Sequence, residues 1–221
     1  MYTLDQLENR IIWIFREPRS GSTWFRLALK QAIKRNLNSF PVTTAPIIEK
    51  KLFYMDRIQQ HEDKRMLLDT HDFCALESMC NYENPILIRN VRKNKTEQFI
   101  SGIIANITNI WNIGPKMKLD TDILPKIEPR SIPFNEITQF VARKKEIENL
   151  WDTYASQYEN ETVYYEDLLE NWESTIFPIK LSMKETADLK DFTKKISYDK
   201  KEIIINYDEI DSILKNEFGP Y

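Results

Sequence analysis

Near its start the chain reads Arg10-Ile-Ile-Trp-Ile-Phe-Arg-Glu-Pro-Arg-Ser-Gly-Ser-Thr-Trp-Phe-Arg-Leu-Ala-Leu-Lys30. The apolar run at 11–15 is bounded by charge, which is typical of a buried strand in a parallel sheet. Pro18 ends this strand, because proline has no N–H and biases the preceding residue away from helix. From about Thr23 apolar residues recur at helical spacing. The segment therefore predicts a strand, a loop and a helix.

The loop at 18–23 is small, rich in hydroxyl groups and cationic. It leads into a helix N-terminus, where free N–H groups and the positive end of the helix dipole favour an anion such as phosphate or sulfate. Gly21 permits a close backbone approach, and Arg19 supplies a planar cation. A Ser-rich turn without a ligand is the alternative interpretation of the loop alone. Its hydroxyl groups belong to Ser20, Ser22 and Thr23.

Strands and helices alternate along the rest of the chain. The apolar patterns predict further strands at 66–68, 85–91 and 161–165, and helices at 47–60, 96–106, 134–157, 184–195 and from about Asp208. Residues 107–133 are predicted to form an irregular excursion. This alternation favours an α/β fold with a central parallel sheet flanked by helices on both faces. In such sheets ligands bind beyond the carboxyl ends of the strands, so polar residues there are candidates for a site.

Composition narrows the class of protein. A chain of 221 residues is long enough to form one domain, 1–221, with a core that needs no disulfides. The formal net charge of -3 gives no overall basic surface, so we expect no nucleic-acid partner. Cys74 and Cys80 lack metal-ligand spacing, so we expect no metal and a reducing compartment. Without a signal-peptide pattern or a membrane-spanning apolar stretch, we expect a soluble, cytoplasmic protein without membrane contact.

The first loop resembles the 5′-phosphosulfate loop of sulfotransferases, which use 3′-phosphoadenosine 5′-phosphosulfate (PAPS) as sulfuryl donor. That loop reads Pro, Lys or Arg, Ser, Gly, two residues that are Ser or Thr, and then Trp or Phe, and residues 18–24 match it at each position. It is not a Walker A loop, which would need a Gly-Lys pair. The resemblance implies a three-layer P-loop NTPase-like fold and an aromatic stack of Trp24 on adenine. It also implies donor contacts by Arg19, Ser20, Gly21, Ser22, Thr23 and Trp24.

Thr70-His71 follows the second predicted strand. A His at a strand end is well placed to act as a general base, because its ordinary pKa lies near the operating pH. The resemblance implies this role too, since cytosolic sulfotransferases have Lys-Thr-His here and its His deprotonates the acceptor hydroxyl. Asp69 replaces that Lys, which removes a positive charge near the sulfuryl group. A structural His is the alternative, with Asp72 or Glu49 as the base.

Arg92 lies at the end of the third predicted strand, and Ser101 follows it nine positions later. A guanidinium and a hydroxyl suit a phosphate monoester, and the resemblance implies that this pair holds the 3′-phosphate of PAPS. Arg89-Asn90 also resembles the Arg-Asn pair of the cytosolic enzymes, but the residue eight positions after Arg89 is Glu97, so Arg92 is preferred. The alternative interpretation of this segment is a solvated basic helix cap.

Two later segments complete the resemblance. Tyr165 begins a Tyr-Glu-Asp-Leu sequence that resembles the strand-to-helix junction whose Tyr contacts adenine in the family; a core aromatic residue is the alternative. The Arg-Lys-Gly-x-x-Gly segment with which cytosolic sulfotransferases clamp the 3′-phosphate is absent. A lysine of the same region could replace it, although a solvated charge run is the alternative. The lysines concerned are Lys194, Lys195, Lys200 and Lys201.

Together these motifs predict a PAPS-dependent sulfotransferase that works without a metal. The sulfuryl group would pass in line to a hydroxyl or amine, with His71 as the base and Arg19 neutralising charge on the leaving phosphate. The expected acceptor is a small molecule, a carbohydrate or a lipid, and Phe53, Tyr54 and Trp111 are candidate stacking surfaces for it. A P-loop-like small-molecule or nucleotide kinase and a catalytically inactive nucleotide-binding module are the alternatives. No motif indicates an oligomeric state.

Overall fold

The computed structural model describes residues 11–21, 25, 66–70, 73, 76, 85–111, 125–170 and 198–221. Its strands are β1 (Ile11–Arg16), β2 (Met66–Thr70), β3 (Ile86–Val91) and β4 (Glu159–Tyr164). Its helices are α1 (Lys95–Thr108), α2 (Phe134–Tyr154), α3 (Tyr165–Glu170), α4 (Lys200–Ile203) and α5 (Tyr207–Phe218), and a 3-10 turn at Ala155–Gln157 follows α2.

These elements confirm the four predicted strands and the helices predicted around residues 96–106, 134–157 and from Asp208. Of the helix predicted after the first loop, only Phe25 is described, and it is helical. The helices predicted at 47–60 and 184–195 lie outside the described residues.

The four strands form one parallel sheet in the order β2-β1-β3-β4. Ile14 of β1 pairs with Asp69 of β2 on one side and with Ile88 of β3 on the other. The chain therefore leaves β1 towards one edge of the sheet and returns to β3 on the opposite side of β1. In open α/β sheets the crevice at such a reversal of strand order is the usual place for a ligand. The loop at 18–23 follows β1 at this point.

The centre of the sheet is buried, because Trp13, Ile14 and Phe15 of β1 carry apolar side chains on both of its faces, whereas the edge strand β4 is mostly exposed. Every residue of β3 is buried, as expected for an internal strand of a parallel sheet. On one face Trp13 and Phe15 pack against Ile147 and Trp151 of α2. The rings of Phe15 and Trp151 meet edge to face, with their centres 5.8 Å apart. Complete burial of one such side chain stabilises the fold by about 1.5–3 kcal/mol, so α2 is firmly attached to the sheet.

A second apolar cluster attaches the C-terminal segment to α1. Ile100 and Ile104 of α1 pack with Ile210 and Leu214 of α5. Next to this cluster the Arg130 N–H donates to the Ile203 carbonyl at 2.9 Å, and the Ile205 N–H donates to the Arg130 carbonyl at 2.9 Å. The Asn206 side chain bonds both the N–H and the carbonyl of Ile132, at 2.9 Å and 3.0 Å. This anchoring places α4 beside α1.

The structure thus confirms an α/β fold with a central parallel sheet flanked by helices. In the described part of the chain, no helix combines the length and the apolar character needed to cross a lipid bilayer.

Candidate functional site

Glu17, the residue after β1, carries a fully buried carboxylate. Arg89 of β3 donates to its Oε1 from Nη2 at 2.7 Å and from Nε at 3.2 Å. Lys144 of α2 forms an ion pair with Oε2, and the Lys95 ammonium lies 4.0 Å from the same oxygen. Burial would raise the pKa of Glu17, but Lys144, Lys95 and Arg89 outweigh it and hold the pKa at about 2. Glu17 is therefore a charged centre joining β1, β3, α1 and α2.

The cations around Glu17 are themselves removed from water. Burial lowers the pKa of Lys144 to about 8, although the neighbouring Glu17 acts in the opposite direction. The Arg89 guanidinium lies 5.9 Å from the ring centre of Phe73 and 6.0 Å from that of Trp151. Arg89 is therefore part of the buried core around Glu17. Arg92 instead lies against the Tyr165 ring, next to the loop that follows β1.

The same network fixes the loop that follows β1. The Glu17 N–H donates to the Asn90 carbonyl at 3.1 Å. The buried Ser20 Oγ lies 2.6 Å from the Glu17 carbonyl oxygen and 2.8 Å from Asn90 Oδ1. Gln98 of α1 donates to the Pro18 carbonyl at 2.6 Å. The Ser20 side chain is thus used to attach the loop to β3, and its predicted contact with the donor stays a prediction.

The loop contains two residues with left-handed backbone geometry, Arg19 at φ 61° and Gly21 at φ 67°. For Arg19 this conformation is strained by about 1–2 kcal/mol, because its Cβ approaches the following carbonyl. Gly21 has no such cost, and it also permits a close contact. A Cβ at position 21 would lie 2.1 Å from Cδ2 of Tyr165. The Tyr165 ring at the start of α3 therefore lies directly against the loop.

Arg19 and Arg92 are neighbours at this edge of the sheet. Burial lowers the pKa of Arg19, and the positive charge of Arg92 lowers it further. The Arg92 guanidinium lies 5.2 Å from the centre of the Tyr165 ring, so this ring contacts both the loop and the second arginine. Arg19 Nη1 donates to the carbonyl of Trp111, whose side chain is 44% exposed.

Two buried donors remain for a ligand. The Nε of Arg19 has no hydrogen-bond partner among the described residues. The Nε of Arg92 has only the Glu166 carboxylate at 3.5 Å, which is an ion pair but not a well-formed hydrogen bond. Burial of an unsatisfied charged donor is costly, and guanidinium groups bind phosphate and sulfate oxygens well. The arrangement therefore fits an anionic ligand held by both arginines.

Glu166, in the first turn of α3, organises the turn between β3 and α1. Its carboxylate accepts hydrogen bonds from the backbone N–H groups of Lys93 at 2.8 Å and Asn94 at 3.2 Å. Asn94 in turn caps α1, because its Oδ1 accepts from the Glu97 N–H at 2.8 Å. The predicted Tyr-Glu-Asp-Leu segment is thus placed beside Arg92.

Ser101 is linked to Arg92 through two further residues, Glu97 and Lys200. The Lys200 Nζ lies 3.2 Å from Ser101 Oγ and forms an ion pair with Oε2 of Glu97. Nη2 of Arg92 lies 3.4 Å from the same Glu97 oxygen. One carboxylate oxygen therefore lies between two cations, next to the predicted Ser.

The structure brings together six predicted site residues beyond the carboxyl ends of β1 and β3: Arg19, Ser20, Gly21, Arg92, Ser101 and Tyr165. His71, Ser22, Thr23 and Trp24 lie outside the described residues, as do Asp72 and Glu49, so their roles stay predictions. Sequence reasoning missed the buried network of Glu17 and Lys144 and the roles of Glu97 and Glu166. The single signal for Glu17 was a carboxylate directly after an apolar strand. Within the described ranges no group of three or more His, Cys, Asp or Glu side chains is arranged to hold a metal ion.

Comparison with known proteins supports the fold. No protein-family model matches the chain, and neither does any curated protein. The chain is structurally similar to the crystal structure of mouse sulfotransferase SULT7A1 complexed with PAP, with a TM-score of 0.51 and 13% identity over 84% of this chain and 67% of that one. Kti12 of Chaetomium thermophilum in complex with ADP-AlF3 aligns over 81% of this chain and 94% of its own at 9% identity, but its TM-score of 0.32 is too low to support an argument.

The sheet topology and the similarity to the sulfotransferase show a three-layer α/β fold of the P-loop NTPase type, as predicted. Within that class the arrangement is sulfotransferase-like. At 13% identity the similarity shows the fold alone.

Replacement of Glu17 with Gln should destabilise the protein strongly. The substitution leaves Arg89 and Lys144 buried without their counter-ion, which costs about 3–5 kcal/mol of unfolding free energy, measured by urea unfolding at pH 7. Glu217→Gln is the matched control, because Glu217 pairs with Lys145 on the surface and its loss should cost under about 1 kcal/mol. Equal effects of the two substitutions would contradict the anchoring role of Glu17.

The difference in unfolding free energy between wild type and Glu17→Gln should depend on pH. The folded pKa of Glu17, about 2, lies below its ordinary value of 4.5, so its stabilising contribution is complete above pH 4.5 and is lost as the pH falls towards 2. The difference in stability between wild type and Glu17→Gln should therefore shrink across this range. A difference that stays constant down to pH 3 would show that the Glu17 charge is not what stabilises the loop.

Arg19 offers a test of the loop conformation. Arg19→Gly and Arg19→Ala both remove the guanidinium, but only Gly relieves the positive φ, so the Gly variant should be the more stable by up to about 1 kcal/mol. At the exposed helical Arg143 the order should reverse, with Gly less stable than Ala by about 1 kcal/mol. Thermal unfolding of the four variants measures both differences, and the same order at both positions would reject the left-handed geometry.

Proposed function

We propose that this protein is a sulfotransferase that takes the sulfuryl group from PAPS and passes it to a hydroxyl or amine. The observation that supports this proposal most is the pair of neighbouring guanidinium groups, Arg19 and Arg92, with buried donors that lack good partners. They lie at the reversal of strand order on a sulfotransferase-like fold. On this proposal the loop at 18–23 binds the 5′-phosphosulfate, and Arg92 with Ser101 binds the 3′-phosphate.

The proposed reaction assigns a role to each charged group. The acceptor oxygen forms a new S–O bond while the S–O bond to the 5′-phosphate breaks, and the electron pair of the broken bond stays on the departing 3′-phosphoadenosine 5′-phosphate (PAP). Arg19 neutralises the negative charge that grows on that phosphate, an electrostatic effect that is strong where water is excluded. His71 takes the acceptor proton.

The acceptor is proposed to be a small molecule, a carbohydrate or a lipid. Trp111 supports an acceptor wall at the edge of the loop, because its indole is exposed and its carbonyl accepts a hydrogen bond from Arg19. An exposed indole next to a reacting centre suits a sugar face or an aromatic ring.

Nucleotide binding tests the donor assignment directly. Calorimetry should show that PAP binds more tightly than adenosine 5′-phosphate (AMP), because only PAP can use Arg92 and Ser101. Labelled PAPS should then transfer its sulfate to members of a broad acceptor panel, while ATP with Mg²⁺ should transfer nothing. No binding of PAP at millimolar concentration would contradict the proposal. Tight PAP binding without transfer would support the inactive-module alternative, and phosphate transfer from ATP would support the kinase.

The general base is tested separately. His71→Ala should lower turnover by about 10²–10⁴-fold, the usual contribution of a positioned acid or base, with PAP affinity unchanged. His61→Ala is the matched control, because His61 and His71 are the two histidines of the chain, and it should retain turnover. Normal turnover in His71→Ala would reject this residue as the base.

A further inference from the structure

The Glu97 carboxylate lies among groups that would normally receive a phosphate. Its Oε2 is 3.4 Å from Nη2 of Arg92 and forms an ion pair with the Lys200 ammonium. Its Oε1 lies 3.4 Å from the Tyr207 hydroxyl. The side chains of Arg92 and Lys200 are only 10% and 15% exposed. The Glu97 carboxylate thus contacts two largely buried cations at once.

The groups around Glu97 are supplied by separate elements. Arg92 follows β3, Ser101 lies on α1, and Lys200 begins α4, where the Asp199 side chain caps the helix by accepting from the N–H groups of Lys201 and Glu202. A guanidinium, an ammonium and a hydroxyl form a donor set that suits a phosphate monoester, which offers three acceptor oxygens. Lys200 is therefore a lysine of the C-terminal charge run that reaches the predicted phosphate residues, while Lys194 and Lys195 lie outside the described residues.

We propose that Glu97 is the built-in counter-anion of a phosphate-monoester subsite formed by Arg92, Ser101 and Lys200. A nucleotide phosphate binds there by displacing the Glu97 carboxylate from the two cations, and Lys200 contacts that phosphate together with Ser101. The inference rests on the proposed function, to which it adds one binding residue, Lys200, and one residue that sets specificity, Glu97.

Electrostatics explains why the counter-anion is needed. Without the Glu97 charge, Arg92 would keep only the 3.5 Å ion pair with Glu166 and Lys200 would lose its ion pair with Glu97. Poorly compensated charges out of water would destabilise the fold. With Glu97 in place the subsite is stable before any ligand arrives. A ligand must replace an existing ion pair, and its affinity is therefore lower than its own contacts would give.

Glu97 is better suited to move than Glu166, the other carboxylate at Arg92. Glu166 accepts hydrogen bonds from two backbone N–H groups, at 2.8 Å and 3.2 Å, and its departure would leave both unpaired. Glu97 contacts the ends of long side chains and is 24% exposed. Its backbone N–H is already capped by Asn94 at 2.8 Å, so a change of side-chain rotamer leaves the helix start intact.

The test compares PAP with AMP, which differ only in the 3′-phosphate. Calorimetry on Glu97→Gln should show PAP affinity raised by about tenfold or more, because the neutral amide competes less with the phosphate for the two cations. AMP affinity should be unchanged. Lys200→Met should lower PAP affinity by a similar factor and leave AMP affinity alone, whereas Lys200→Arg should keep it. Lys201→Met is the control, because Lys201 is exposed and pairs with Asp208, and it should change neither affinity.

The outcomes separate this inference from the proposed function. If wild type binds PAP and both Glu97→Gln and Lys200→Met leave the ratio of PAP to AMP affinity unchanged, the inference is overturned and the proposed function stands. If no protein in the series binds either nucleotide, both are overturned. Circular dichroism checks the fold of each variant, and if Glu97→Gln fails to fold, the contrast between Lys200→Met and Lys200→Arg decides.

Discussion

The ion pairs of Glu17 support the rest of this site. A carboxylate without contact with water is tolerated only where cations and hydrogen bonds replace its hydration, and here they come from β3, α1 and α2. Because each partner belongs to a different element, the end of β1 takes its position from all of them together. A satisfied polar network of this kind specifies one arrangement more strictly than apolar packing does.

The loop beyond Glu17 depends on this rigidity. Arg19 is held in a backbone conformation that a non-glycine residue avoids, and such strain persists only where the surroundings determine the structure more strongly than local preference does. This conformation places the Arg19 guanidinium beside that of Arg92. Two acidic side chains, Glu97 and Glu166, form ion pairs with Arg92 and so balance part of the resulting positive charge.

Local patterns in the sequence predicted the strands, the helices and the loop, because apolar periodicity and the Pro-to-Trp spacing are properties of neighbouring residues. The location of the candidate site followed from the rule that ligands bind beyond the carboxyl ends of parallel strands. The partners of Glu17 and the contact of Lys200 with Ser101, 99 residues apart, depend on residues distant in the chain and could not be predicted from local patterns. Arg89 was set aside because the residue eight positions later is Glu97 and not a Ser. In the structure Arg89 pairs with the buried Glu17, a contact that the spacing alone does not predict.

The contact between Gly21 and the ring of Tyr165 has a consequence for how such a site can change over generations. A Cβ at position 21 would collide with the Tyr165 ring, and a shift of that ring would disturb the aromatic surface under Arg92. Substitutions at positions 21, 92 and 165 are therefore physically coupled, although these positions lie far apart in the chain.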